Sequence, residues 1–194
     1  VEVFRALGAE VAASCNRSES GRQKAREKAG IPATYADPLE MVARECPDGL
    51  IVSANVLSQF SLVRDLIPTG LPLLVEKPAG TSLSEAEELA CLAERHGTPV
   101  MVALNRRFYS VYHQAIERMG GRLAVTGVAV EWSEDPSKML AVGHPPALLP
   151  LLNFANSLHG IDLLPFFAGD VSAPVVWGRD LARGSDRYRW QMAI

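Results

Sequence analysis

Long apolar runs are missing from this chain: nowhere do about 18 consecutive apolar residues occur, so no helix fit to span a bilayer is expected. Charge of one sign is missing too. The 19 basic and 22 acidic residues are mixed along 194 positions with a net charge of -3, which argues against nucleic acid or an anionic membrane as partner. Cysteine is scarce. Cys15, Cys46 and Cys91 are odd in number, far apart and in no Cys-x-x-Cys pair, so neither a disulfide framework nor a metal site is expected, and a reducing cytoplasm fits. The start has no initiating methionine and no charged, apolar and small-residue succession of a secretory signal. No internal repeat and no low-complexity segment is present.

What is there is ordinary packed-protein composition, 48% hydrophobic and 21% charged, in a chain long enough for one domain or one and a half. Residues 1–8 read as an amphipathic helix already in progress, which predicts that the strand and turn belonging before it lie outside this chain. A buried strand is expected over Glu10–Cys15, a helix over 20–29 stopping at Gly30, and a helix over Pro38–Glu45 capped by Asp37 with proline in its first turn. The cycle repeats with strand Leu50–Ala54, helix 57–68 and strand Leu71–Val75. Ser82-Leu83-Ser84-Glu85 matches a capping box opening a helix that runs to His96 and stops at Gly97, and Pro99–Ala103 is a further strand.

Continuous apolar strands separated by helices imply right-handed crossovers and a doubly wound α/β fold, with a parallel sheet buried on both faces. The rhythm changes after residue 120. Residues 123–132 are β-rich, a Pro- and Gly-bearing loop reaches Pro150, 151–168 reads as a buried helix, and 173–177 as a strand before a charged tail. The expected division is 1–119 and 120–194, the second unit holding part of an open antiparallel sheet. Its raw edge predicts a marginally stable or aggregation-prone piece.

Two segments carry chemistry. Val75-Glu76-Lys77-Pro78 ends a predicted parallel strand, the place where open α/β sheets hold ligands. A lysine there can donate to a substrate oxygen and help an alcohol lose its proton as hydride leaves carbon. A surface lysine paired with Glu76 is the plain alternative. In Asn156-Ser157-Leu158-His159-Gly160-Ile161-Asp162, the spacing of three puts Asn156, His159 and Asp162 toward one side of a helix, where a neutral His159 could take or return a hydroxyl proton. A hydrogen-bonded core histidine is the alternative there. His96, His113 and His144 show no partner pattern and read as surface or loop residues.

Taken together, Glu76-Lys77-Pro78, Asn105-Arg106-Arg107-Phe108 and His159-Gly160-Ile161-Asp162, in that order and spacing, resemble the Gfo/Idh/MocA oxidoreductase family of glucose-fructose oxidoreductase and inositol dehydrogenase type. The resemblance covers roughly residues 1–170. It implies a Rossmann domain lacking its first strand and glycine-rich loop here, followed by part of an α/β domain with an open antiparallel sheet. It also implies reversible oxidation of a sugar or polyol hydroxyl, with Lys77, His159 and Asn156 catalytic and with Lys77, Asn156, His159 and Asp162 on the substrate. Many members carry an aspartate four residues before the histidine, where this chain has Ala155.

By the same resemblance the cofactor side comprises Asn16, Arg17, Ser53, Ala54, Asn55, Glu76, Lys77 and Arg107. After the second Rossmann strand an acid usually meets the ribose, but here Asn16 and Arg17 stand, and a guanidinium suits a 2′-phosphate. NADP is therefore preferred over NAD, with a solvated loop at Arg17 as the alternative. For Arg107 the alternative is a salt bridge at the domain junction. The resemblance further implies that the full-length parent is a homo-oligomer. Two rival readings stay open: a non-catalytic nucleotide- or sugar-binding regulator, and an inactive fragment.

Overall fold

The computed structural model describes residues 1–131, 136–143, 145–151, 155–169, 175–180 and 188–193. Its long early helices begin on side chains that accept a backbone N–H from the first turn. Ser18 Oγ takes the N–H of Gly21 at the start of α2 (Glu19–Ala29), and Asp37 Oδ1 takes that of Glu40 in α3 (Pro38–Glu45). Asn55 Oδ1 takes that of Leu57 in α4 (Val56–Leu66). Ser82 Oγ takes that of Glu85 in α5 (Leu83–His96), while Glu85 reaches back to the N–H and hydroxyl of Thr81. Each cap satisfies donors that a helix start leaves without partners. Gly30 and Gly97 end α2 and α5 with φ of 61° and 63°, a left-handed turn that glycine adopts at little cost.

Between these helices lie short parallel strands. A helix α1 (Glu2–Ala6) leads into β1 (Ala13–Cys15), which pairs with β2 (Ala33–Tyr35). Strands β3 (Leu50–Val52), β4 (Leu73–Val75) and β5 (Val100–Val102) form a second parallel sheet in which Val52, Val75 and Val102 stand in register. The doubly wound α/β reading holds, but the expected single sheet is divided into two. Among the described residues no strand joins β1 to β3. The expected burial of both sheet faces is also corrected. Leu50, Val52, Leu73 and Val75 pack with Val63, Leu66 and Ile67 of the helical layer, whereas Ile51 and Met101 on the other face are 57% and 49% exposed. Alternation along a strand sends neighbouring side chains to opposite faces, and among the described residues one face of this sheet meets its helices while the other does not.

Strand β2 was not among the sequence expectations. Only Ala33-Thr34-Tyr35 pair, too few residues beside Pro32 to stand out as an apolar run. The chain then turns through a 3₁₀ segment, Asn105–Phe108, into α6 (Ser110–Arg118). Of the stretch expected to be β-rich, 123–131 form no ladder among the described residues, Arg122–Ala124 being a 3₁₀ turn, and residue 132 lies outside them. Further on come α7 (Pro136–Ala141), a 3₁₀ segment Pro146–Leu151 and α8 (Leu158–Ala168). Helix α8 starts later than the expected 151–168, because Asn156 and Ser157 occupy a turn before it.

Strand β6 (Val175–Asp180) pairs antiparallel with β7 (Tyr188–Ala193), from Val175 opposite Ala193 to Asp180 opposite Tyr188. Part of the segment read as a charged tail is thus a ladder strand. The predicted strand at 173–177 begins outside the described residues, as does His144. No described helix is long and apolar enough to cross a membrane.

Candidate active site

The register of β3 and β4 decides where the site lies. Glu76 N–H donates to Val52 O at 2.7 Å, so the ladder continues one step past both strands and sets loop 53–55 beside loop 76–78. Lys77 leaves β4 at this edge, ahead of a cis peptide to Pro78. Its Nζ donates to Ala155 O at 2.5 Å, a bond between residues 78 apart in the chain. The carbonyl that receives the lysine lies four residues before His159.

His159 sits in the first turn of α8, half-buried, and its Nδ1 is enclosed without a hydrogen-bond partner among the described residues. Burial pushes its pKa below the usual histidine range, and the charges of Lys77 and Arg106 push it the same way, against the weaker pull of Glu76 and Asp162. The ring is therefore held neutral near pH 7. A neutral imidazole with an unbonded nitrogen beside a lysine is a proton acceptor next to a hydrogen-bond donor, which is the pair that alcohol-carbonyl chemistry needs.

Asn156 lies in the turn before α8 rather than on the helix face shared by His159 and Asp162, which corrects the expected spacing argument. Asp162 is 7% exposed, and both carboxylate oxygens accept from Arg107: Nε at 2.6 Å and the second guanidinium nitrogen in a shorter contact. The pairing raises the pKa of Arg107 further. This is the salt-bridge alternative read for Arg107. His113 is exposed on α6, as a surface residue is expected to be, and its Nε2 lies 2.8 Å from Arg107 O.

On the cofactor side, Asn16 continues the β1 ladder by donating its N–H to Tyr35 O at 2.9 Å, and its Oδ1 accepts from Ser18 N and Oγ. Arg17 is exposed in this loop and has no side-chain partner among the described residues. Arg22 braces the loop from α2, donating to Asn16 O and Arg17 O at 2.7 and 3.0 Å. Ser53 is exposed, Ala54 N–H is bonded to Gln59, and Asn55 caps α4. The two sheets thus carry two loop clusters, 16–18 on one and 53–55 with 76–78 on the other. An open guanidinium such as that of Arg17 is suited to a phosphate group. The sequence contains no Gly-x-Gly of the kind that cradles a dinucleotide's pyrophosphate.

Parallel strands with helical crossovers and reactive side chains at the strand ends define the Rossmann class of nucleotide-binding protein. Within that class, residues 2–104 match the Gfo/Idh/MocA oxidoreductase family with its NAD-binding Rossmann fold, and the chain belongs to this family. It is 38% identical over 95 residues to the myo-inositol dehydrogenase Hyg17 of Streptomyces leeuwenhoekii, covering 48% of this chain and 29% of that protein. To the D-apiose dehydrogenase of Rhizobium rhizogenes it is 26% identical over 194 residues, covering 90% of this chain and 54% of that protein. The chain therefore spans little more than half of these relatives at most. A crystal structure of an oxidoreductase from Agrobacterium radiobacter, in complex with NAD+, L-tartaric acid and magnesium, superposes with a TM-score of 0.73 at 20% identity. That match covers 93% of this chain and 54% of the other, a likeness of fold.

Two further groups stand at this strand edge, the Ala155 carbonyl and the Gln59 amide. The Ala155 carbonyl is invisible to any side-chain motif. Gln59 was legible: it shares the spacing of Val63 and Leu66 on the buried side of α4, and a polar residue on an apolar stripe signals a bonded role.

Proposed function

We propose that the protein transfers hydride between a nicotinamide dinucleotide and a secondary alcohol of a sugar or polyol. The observation carrying this reading is the meeting of Lys77, from the end of β4, with the turn that leads into His159. Loops 53–55 and 76–78 would hold the nicotinamide side, with Glu76 near the same cleft, and Asn16 and Arg17 the adenosine side. A bound nicotinamide supplies the hydride acceptor in one direction and the donor in the other. Lys77 turns its N–H from Ala155 O to the substrate oxygen and stabilises the negative charge that develops there. His159 takes up the hydroxyl proton on oxidation and returns it on reduction. Among the described residues no partner of Nδ1 fixes one tautomer of the ring. Asn156, in the turn beside Ala155, meets the substrate. Asp162 acts through Arg107, holding α8 in place, instead of through the substrate.

Arg17 supports NADP over NAD, since its guanidinium can pair bidentately with a 2′-phosphate. Residues 1–119 act as the dinucleotide unit and 120–194 begin the substrate unit, through whose sheet the whole protein pairs with copies of itself. Its three free thiols suit a reducing cytoplasm. The relatives' names make inositols and pentoses the first substrates to try. Calorimetric titration of NADPH and NADH into the intact protein, followed by turnover with a polyol panel, tests the reading. Tighter NADPH binding with polyol oxidation supports it. Binding without turnover turns the assignment to a regulator, and no dinucleotide binding overturns it.

A further inference from the structure

Gln59 stands one turn into α4 and is 0% exposed. Its Oε1 accepts the N–H of Ala54 at 3.0 Å. Its Nε2 donates to Pro78 O at 2.8 Å and, in a shorter contact, to Glu76 O. A primary amide has two N–H donors and one carbonyl, and all three are engaged. The partners also fix which way the amide faces. Turned over, it would set two carbonyls against its oxygen and an N–H against its nitrogen.

The two carbonyls belong to the residues on either side of Lys77, and Ala54 belongs to the adjoining strand-end loop. One buried side chain therefore clamps the backbone around the lysine and ties it to loop 53–55. Nothing else among the hydrogen bonds of the described residues joins Glu76 O and Pro78 O to α4.

We infer that Gln59 is a positioning residue for hydride transfer, holding the backbone on both sides of Lys77 at a fixed distance from the Ala54 loop. This rests on the dehydrogenase reading above. Misplacing a reacting group by about an ångström costs on the order of 100-fold in rate, so loosening the clamp lowers kcat far more than it weakens dinucleotide binding.

Gln59→Glu and Gln59→Met keep the shape of the side chain and separate the cases. The carboxylate of Gln59→Glu has no proton for either carbonyl. Protonated at lower pH, it regains one O–H donor while its carbonyl can still accept from Ala54. The ratio of its kcat to that of the wild type therefore rises on acidification. The thioether of Gln59→Met makes neither bond at any pH, and its ratio stays flat. In the intact protein both variants are expected to lose about 10- to 100-fold in kcat near pH 7.5, with dinucleotide Kd within about threefold of wild type. Folded variants whose kcat stays within threefold of wild type, or whose ratios show the same pH dependence, overturn the inference.

Two measurements do not need turnover. The Gln59 amide protons of the wild type should exchange at least 100-fold more slowly than those of an exposed glutamine, and free exchange overturns the inference without any variant. The resonance of ¹³C-dimethylated Lys77, assigned by its loss in Lys77→Arg, should shift in both variants. If the wild type oxidises no polyol, the dehydrogenase reading fails and these two measurements still decide whether Gln59 holds the lysine loop. If the wild type is active and both variants match it, the clamp fails and the dehydrogenase reading stands.

Discussion

The guanidinium of Arg107 grips both oxygens of Asp162, 55 residues further along the chain, and so fastens the 3₁₀ segment after β5 to the middle of α8. Asp162 is buried, whereas the Arg107 side chain is 39% exposed. Arg122 adds a second tie, its guanidinium lying 4.5 Å from the centre of the Phe166 ring and donating to Phe166 O. His159 stands one turn before Asp162, so whatever anchors Asp162 also sets the imidazole relative to Lys77.

Removing one partner of that pair leaves the other without compensation. Arg107→Ala should destabilise the protein by about 2–3 kcal/mol, less than the roughly 3–5 kcal/mol of a fully buried pair because water reaches the arginine. In denaturant titrations the double variant Arg107→Ala with Asp162→Ala should lose at least about 1 kcal/mol less than the sum of the singles. Strict additivity would show that the pair does not couple the two segments.

The pH dependence follows from His159. Its folded pKa lies below that of the unfolded chain, about 6.5, so as the pH falls the unfolded state takes up the proton first. The contribution to stability is complete above that value and is lost as the pH falls through the folded pKa. His159→Gln should flatten this part of the stability curve. In the active protein the acid limb of kcat/KM for alcohol oxidation should fall below about pH 6.5, and a limb above 7 would contradict a neutral, enclosed imidazole.

Lys77→Met keeps much of the side-chain length and removes the donor. We expect kcat for polyol oxidation to fall about 10²- to 10⁴-fold, with NADPH affinity changed by only a few-fold, as measured by steady-state kinetics beside calorimetry. An equal loss in binding would move Lys77 from the reaction to the cofactor.

Gly21 admits the Asn16 side chain. A Cβ added there would lie 2.3 Å from Asn16 Cγ and Oδ1, so Gly21→Ala must displace the carboxamide that accepts from Ser18. Alanine gains roughly 0.5–1 kcal/mol within a helix, which offsets part of that displacement. Thermal stability should therefore change little while NADPH affinity drops. Arg17→Ala should lower the preference for NADPH over NADH without altering affinity for NADH.

Cys46 and Cys91 are exposed, while burial first and Asp37 second raise the pKa of Cys15. Thiol titration of the folded protein should modify Cys46 and Cys91 quickly and Cys15 last. Cys15 reacting as fast as the others would mean that β1 opens readily.

Local chemistry was legible in the chain. Asp37 before Pro38, the Ser82 to Glu85 box and the glycines at 30 and 97 are signals of residues that meet within one turn, and each stands where it was expected. Apart from β2, the ordering of helices and strands as far as β5 was likewise readable, because apolar runs and helical caps are written in consecutive residues. Strand β2 was too short to declare itself, and 123–131 carry strand-forming residues that find no ladder among the described residues.

Sequence alone determined the α/β class, the caps of the early helices and the approximate places of the early strands, each of which is one to three residues shorter than its apolar run, since these rest on periodicity and residue type. Tertiary structure alone decided the partners. It set Lys77 on the Ala155 carbonyl, Asp162 on Arg107 and the Gln59 amide across two loops, and it left one sheet face open at Ile51 and Met101. The reason is physical: a hydrogen bond between residues 78 apart depends on where the folded backbone brings a donor and an acceptor, and a backbone carbonyl carries no mark of that in its residue type.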